Sequence, residues 1–213
     1  MLPQVPPEHY RALPYLGADR WVSYGNQVRE VLRLQPERVL EIGVGNGIVR
    51  DALKNLGYQV TALDIDAELR PDIAASVVRM PISENAFDVV LAAEVLEHLP
   101  FTELDEALGE IWRVTKRHVY ITLPHAGAVI DVSIKLPLLP RFRLFFKVPF
   151  FWKRHIFNGE HYWELGKKGF PVSRVKTAIK RAGFVISKAG IDPADPAHYF
   201  FSLIKHGKNP GNR

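Results

Sequence analysis

Glu94, Glu97 and His98 stand in the spacing E-x-x-E-H within "EVLEHLP", and a downstream stretch, "EHYWEL" (Glu160 to Leu165), adds His161. Carboxylates beside imidazoles can move a proton near neutral pH, or hold a divalent cation that lowers the pKa of a bound hydroxyl. His125, in "LPHAG", is a further imidazole able to act as a general base; His98 is the first choice on position. A second set lies upstream. "VLEIGVGNG" (Val39 to Gly47) spends three of the chain's 15 glycines within five positions. Gly43 allows a sharp turn after a strand, while Gly45 and Gly47 let a ligand approach the backbone with no Cβ in the way. Asp64 follows Gly43 by 21 residues and ends the next strand, where a carboxylate accepts both hydroxyls of a ribose. A charge on Glu41 would repel a pyrophosphate and suits a cationic ligand. The glycines run G-x-G-x-G, whereas a dinucleotide site needs its third glycine where Ile48 stands. Together these features favour a positively charged nucleoside over NAD or FAD.

The elements that must position these groups follow from periodicity. Residues Ala18 to Leu34 carry Trp21, Val28, Val31 and Leu32 at helical spacing. "RVLEIG", "YQVTALDID", "AASVV", "AFDVVLAA" and "HVYITLP" are expected strands, buried on both faces where they are continuously apolar. "GIVRDALKNLG" and "FTELDEALGEIWRVTKR" are the helices between them, the latter with a capping box from Thr102 to Asp105. "SRVKTAIKRAGF" is a helix with Ser173 as N-cap. "FVISKAG" and "HYFFSLIK" are separated by too few residues for a crossover, so they pair antiparallel. The pattern predicts an α/β fold: a doubly wound, Rossmann-like seven-stranded sheet, mostly parallel, with a C-terminal antiparallel hairpin. Pro3, Pro6 and Pro7 mark an irregular N-terminal arm, and "KHGKNPGNR" a frayed tail.

Composition sets outer limits. A chain of 213 residues, 47% hydrophobic and 24% charged, matches one globular domain. No Cys is present, which excludes disulfides, thiolate metal sites and cysteine nucleophiles and fits a reducing, cytoplasmic compartment. The N-terminus has no signal-peptide pattern, and no stretch reaches the ~18 apolar residues of a membrane span. The net charge of +5 matters only where it is clustered.

"VLEIGVGNG", "VTALDID" and "MPISENAFDVVLAAEVLEHLP", with the terminal antiparallel pair, resemble the class I S-adenosylmethionine-dependent methyltransferases, in their small type 11 branch. The resemblance is close from Leu32 to Tyr120 and loose over the last 40 residues. It implies one methyltransferase domain over residues 1–213, with an arm and helix (1–34) and an insertion or lid (124–165). It implies S-adenosylmethionine as cofactor, held through Glu41, Gly43, Val44, Gly45, Asn46, Gly47, Asp64, Ile65, Ser76, Val77 and Glu94. Many relatives carry an acidic residue at the place of Ser76, where a hydroxyl can still hydrogen-bond the adenine. His98, Glu94 and His161 are the expected catalytic residues. E-x-x-E-H also resembles the metal-binding segment of small-RNA 2′-O-methyltransferases and ubiquinone-pathway O-methyltransferases. That likeness implies Mg or Mn on Glu94, Glu97, His98 and His161. A metal-assisted RNA or quinone-type O-methyltransferase and a non-catalytic binding protein are the alternatives. The intact glycine loop and Asp64 argue against the latter.

One stretch does not fit the scaffold. Residues 132–159 hold six Lys or Arg, no Asp or Glu, and a dense set of Phe, Leu and Trp. Prolines 137, 140 and 149 argue against one long helix. An irregular helical cap with its charges in water is one expectation. The other is a lid for a small-molecule, glycan or lipid-linked acceptor that makes a peripheral membrane contact through 132–159. Nucleic acid is a further, less favoured partner.

Overall fold

The computed structural model describes residues 4–207. Its centre is β1 (Arg38–Ile42), an apolar run buried from Val39 onward, as a strand covered on both faces must be. It pairs in parallel with β2 (Gln59–Asp64) on one side and β4 (Phe87–Ala93) on the other. The short β3 (Ile73–Ala74) extends β2, and β5 (Thr115–Pro124) pairs in parallel with β4. Two C-terminal strands, β8 (Phe184–Asp192) and β9 (Asp195–Lys205), pair antiparallel; β9 lies between β5 and β8. The order is β3-β2-β1-β4-β5-β9-β8, the seven-stranded, mostly parallel sheet expected from the sequence.

Helices cover both faces. α1 (Ala18–Leu34) and α2 (Ile48–Asn55) lie over Val39, Val89 and Leu91 through Val31, Val49 and Leu53. On the other face, α3 (Leu104–Val114) and α4 (Val172–Arg181) bring Leu108, Ile111 and Ile179 onto Leu40, Ile42 and Val90. The chain winds outward from β1 through β2 and β3, then restarts at β4 and winds the other way. The strand order therefore reverses between β1 and β4, and their carboxyl ends open the crevice where ligands bind in such sheets.

Several local expectations are corrected. The third strand is only Ile73–Ala74, not Ala74 to Val78: it lies at the edge, pairs with Leu63 and Asp64 alone, and turns away where Arg79 N–H bonds Ser76 O. The capping box does not form. Pro100 leads into a 3-10 turn over Phe101–Glu103, so Thr102 is already inside a helical turn, and Asp105 pairs with Arg181 instead. That helix stops at Val114, where the buried Thr115 hydroxyl bonds Ile111 O at 2.6 Å, and residues 115–117 belong to β5. α4 starts one residue before Ser173 with Pro171 as its N-cap, since the proline ring fixes an entry-compatible φ. Lys205 closes β9; the rest of the expected frayed tail lies, from residue 208, outside the described residues, as does Pro3.

The first part of the expected insertion is not an irregular helix, while residues 150–165 are irregular. β6 (Gly127–Ile134) and β7 (Phe142–Pro149) form a separate antiparallel pair in full register. Prolines 137 and 140 fall in the turn and Pro149 ends β7, the places a ladder tolerates them.

Candidate active site

The glycine turn is built by steric demand. Gly43 follows β1 at φ +81°, and a Cβ there would strike the Val95 side chain. At Gly45 (φ +51°) a Cβ would stand 3.5 Å from the Tyr10 ring. Gly47 is the N-cap of α2, and the Asn46 carboxamide accepts from Ile48 N–H at 3.2 Å while donating to the Tyr24 hydroxyl at 2.9 Å. The turn is stitched to β2 by Asp64, whose Oδ2 accepts from Val44 N–H at 2.8 Å and whose Oδ1 accepts from Asp66 N–H at 2.9 Å. Burial pushes the Asp64 carboxyl upward against the N–H groups of Asp66, Val44 and Gly45.

Beyond the turn opens a cleft of about 310 Å³. Gly43, Gly45, Asp64, Ile65, Ser76 and Val77 line it, and so do Glu94, His98 and His161. Val44, Asn46 and Gly47 do not; they shape the turn behind it. Glu41 also lies outside. The residues that flank it on β1, Leu40 and Ile42, belong to the α3 face, and the charges acting on Glu41 are Arg50 and Asp51 of α2, then Asp64 of β2 and Lys54 of α2. Its Oε2 is buried with no hydrogen-bond partner among the described residues, and burial pushes its carboxyl up to about 8. Glu41 is therefore mostly neutral at pH 7, and the negative charge that the sequence assigns to it is held elsewhere.

Glu94 holds it. This residue follows β4 in a left-handed conformation, φ +55°, which aims its carboxylate at β5 and β9. Thr122 Oγ1 donates to Oε1 at 3.0 Å, and His198 Nε2 lies 3.2 Å from Oε2. The other His198 nitrogen, Nδ1, contacts Asp195 Oδ1 at 2.7 Å. Burial alone would lower His198, but the Glu94 charge and the Asp195 bond outweigh it and raise the imidazole to about 10. Burial would likewise raise Glu94, but the imidazolium holds it below the usual carboxylate range. Two carboxylates thus clamp one cation at the cleft wall.

"EVLEHLP" and "EHYWEL" meet in the structure, an approach that the metal-binding resemblance implies. Tyr162 N–H bonds Glu97 O at 2.9 Å, and the buried Trp163 donates its indole N–H to Leu99 O at 3.0 Å. This docking sets the His98 and His161 rings edge to face, 5.0 Å apart. His98 Nδ1 faces Gln4 Oε1 at 2.6 Å and Glu160 O at 3.1 Å. Two acceptors assign the proton to Nδ1 and leave the Nε2 lone pair free; burial, then the nearby His161, lowers the pKa of the ring. Glu97 is fully buried, and neither carboxylate oxygen has a partner among the described residues. Burial and the Glu94 charge push it far above the usual range. One ligand atom each from Glu97, His98 and His161 lie within 4.8 Å of one another; Glu94 faces His198 instead. His125 is buried, its ring nitrogens have no partner among the described residues, and it lies outside the cleft lining.

Four contributors escaped the sequence reading. Tyr10 and Tyr15, from the N-terminal arm, cover Gly45. Asp66, buried beside Asp64, lines the cleft; the repeated D-x-D of "LDID" was its signal. His198 has no local motif.

A family model described as a methyltransferase domain matches residues 40–123. The chain is 32% identical over 90 residues to a ubiquinone biosynthesis O-methyltransferase of Azotobacter vinelandii (35% of this chain, 39% of the relative). It is 28% identical over 135 residues to one of Nitrosococcus oceani (54% and 57%). The chain thus spans about half the length of the curated relatives it matches. Among solved structures, the Burkholderia thailandensis 1,6-didemethyltoxoflavin-N1-methyltransferase, with bound 1,6-didemethyltoxoflavin and S-adenosylhomocysteine, superposes with a TM-score of 0.58 at 16% identity, covering 97% of this chain and 93% of that one. The methyltransferase-domain match runs from β1 through β5, and with this strand order the chain has the Rossmann-like fold of the S-adenosylmethionine-dependent methyltransferases it resembles.

Proposed function

We propose that the chain transfers a methyl group from S-adenosylmethionine to an oxygen or nitrogen atom of a small-molecule acceptor, with glycan and lipid-linked acceptors in that class. The observation that carries this is Asp64. Each of its oxygens accepts one backbone N–H and keeps a lone pair for a ribose hydroxyl in the cleft. The turn beside it is a cradle that side chains at Gly43 and Gly45 would fill. The cleft volume of about 310 Å³ falls in the range of small-molecule sites. In this assignment Gly43 and Gly45 face the methionine portion, Asp64 and Ile65 the ribose, and Ser76 and Val77 the adenine. Glu94 supplies the negative charge that a sulfonium favours. Titration calorimetry tests this: S-adenosylhomocysteine gives heat and NAD gives none, and the reverse would overturn the assignment.

When bound, S-adenosylmethionine supplies a methyl group already activated by positive charge. The chain aligns the acceptor and takes its proton. His98 is suited to the second task, being neutral at pH 7 with Nε2 free. His98→Asn is expected to lower kcat about 100-fold on whichever acceptor the protein turns over. Its affinity for S-adenosylhomocysteine should stay within about twofold, because Asp64 and the glycine turn are untouched. A parallel loss in both would remove His98 from the chemistry.

A second reading has its own support. Two orphaned, buried carboxylate oxygens on Glu97, beside the imidazoles of His98 and His161, are the donor set a hard or borderline divalent cation takes. Mg or Mn held there would bind an acceptor hydroxyl and lower its pKa, as a quinone-type O-methyltransferase requires. EDTA should then abolish transfer and Mg²⁺ or Mn²⁺ restore it; full activity in chelator ends this reading. Among partners, the segregation of apolar and cationic side chains in the insertion favours a lipid-linked acceptor, at a membrane-peripheral cytoplasmic location, over nucleic acid, which needs aromatic and basic groups interleaved along one groove.

A further inference from the structure

The β6–β7 hairpin turns an unbroken apolar face outward. Its register pairs Ile130 with Phe146, Val132 with Leu144 and Ile134 with Phe142. Side chains alternate along a strand, so these six share one face. All six are 45–62% exposed. The opposite face mixes Asp131, Ser133, Arg143 and Lys147 with Val129 and Phe145, and its charged groups hold the hairpin to the body. Arg143 bonds the Asp131 carboxylate and Pro193 O, and Lys147 bonds His125 O and Pro196 O. At the tip, Leu136, Leu138 and Leu139 project between the flanking cations Lys135 and Arg141, all exposed. Lys153 and Arg154 stand exposed beyond the base, next to the exposed Phe151, Trp152 and Ile156.

An apolar face of this extent marks an interaction surface, and its charges select the occupant. Basic side chains border the face at tip and base, and no acidic residue lies in 132–159. Two copies related by a two-fold axis would bring cations against cations. An anionic bilayer fits: leucine and phenylalanine side chains enter the acyl boundary while lysine and arginine stay at the headgroups. The hairpin is also rooted at the cleft. Pro124, just before it, and Glu160 and His161, after it, line the same cavity.

We propose that the apolar face of the β6–β7 hairpin docks on an anionic lipid bilayer and sets the mouth of the cleft at headgroup level. A lipid-borne acceptor would enter there without leaving the membrane; that purpose, though not the docking itself, rests on the methyl-transfer reading of the cleft.

Co-sedimentation of the full chain with vesicles tests it. Binding is expected to vesicles of phosphatidylcholine with phosphatidylglycerol, to fall on raising salt, and to be weak on phosphatidylcholine alone. Lys135→Gln with Arg141→Gln should weaken binding about 25-fold, near fivefold for each charge lost. Leu138→Ser with Phe142→Ser and Leu144→Ser should abolish it with the melting temperature unchanged, since these side chains are exposed. Wild type left in the supernatant with both vesicles overturns the proposal. So does undiminished binding by the triple variant, or a solution dimer that the triple variant breaks. Calorimetry with S-adenosylhomocysteine on the same samples separates the two proposals: heat without vesicle binding removes the docking alone, and vesicle binding without heat removes the methyl-transfer reading alone.

Discussion

Asp64→Ala is expected to eliminate measurable binding of S-adenosylhomocysteine. In the proposed pose two hydrogen bonds from ligand hydroxyls to the carboxylate would disappear, each about 1.5–3 kcal/mol, which together would weaken affinity by roughly 100-fold to 10,000-fold. The substitution also strands the N–H groups of Val44 and Asp66, the two donors that tie the glycine turn to β2. Asp64→Asn separates these effects. It keeps the shape and one acceptor oxygen, so a loss on the order of tenfold is expected from the charge. Calorimetry on both variants, with circular dichroism to confirm folding, is the measurement. Wild-type affinity in Asp64→Ala would remove the ribose from this position.

The second large effect concerns stability. His198→Ala should cost about 3–5 kcal/mol, because it leaves the buried carboxylates of Glu94 and Asp195 facing each other without the cation between them. In a chain of this size that lowers the melting temperature by on the order of 10 °C. The pH dependence has a definite sign. The folded-state imidazole is raised from 6.5 to about 10, so its stabilising contribution is complete below about pH 6.5 and is lost as the pH climbs toward 10. Urea unfolding across that window should show the wild type weakening, and His198→Gln should follow a flatter line. A wild-type profile without that slope would mean the imidazole is not charged in the folded protein.

Sequence legibility followed distance along the chain. The strand, turn and helix from Val39 to Asn55 announce themselves because apolar continuity and glycine spacing are local properties. Asp64 was legible because a parallel sheet fixes where its second strand ends. Glu41 was misjudged electrically: its position gave a formal charge, but not the burial that suppresses it. The clamp of Glu94 by His198 was invisible, since 104 positions separate the partners (198 − 94) and only the β4-β5-β9 order brings them together. The hairpin could have been read. Ile130, Val132 and Ile134 alternate with Asp131 and Ser133, and Phe142, Leu144 and Phe146 recur two residues apart. The prolines at 137, 140 and 149 and the density of aromatics mask this period of two. Ser173 and Thr102 fit capping statistics, but nearby prolines fixed the entry geometry first.

The N-terminal strap spans both halves of the cleft. Gln4 grips His98 by its carbonyl at 3.0 Å and its ring at 2.6 Å, while Tyr10 sits over the glycine turn and takes a bond from Asn46 on its carbonyl. A molecule settling against Gly45 meets Tyr10, and Gln4, only six positions away on the same short segment, holds the Nδ1 side of the His98 ring, opposite its free Nε2. Occupation of the glycine turn is therefore expected to bear on how firmly His98 is oriented: a guest that displaces Tyr10 loosens the segment that fixes the ring, and by reciprocity whatever firms the ring changes the cost of that displacement by the same factor.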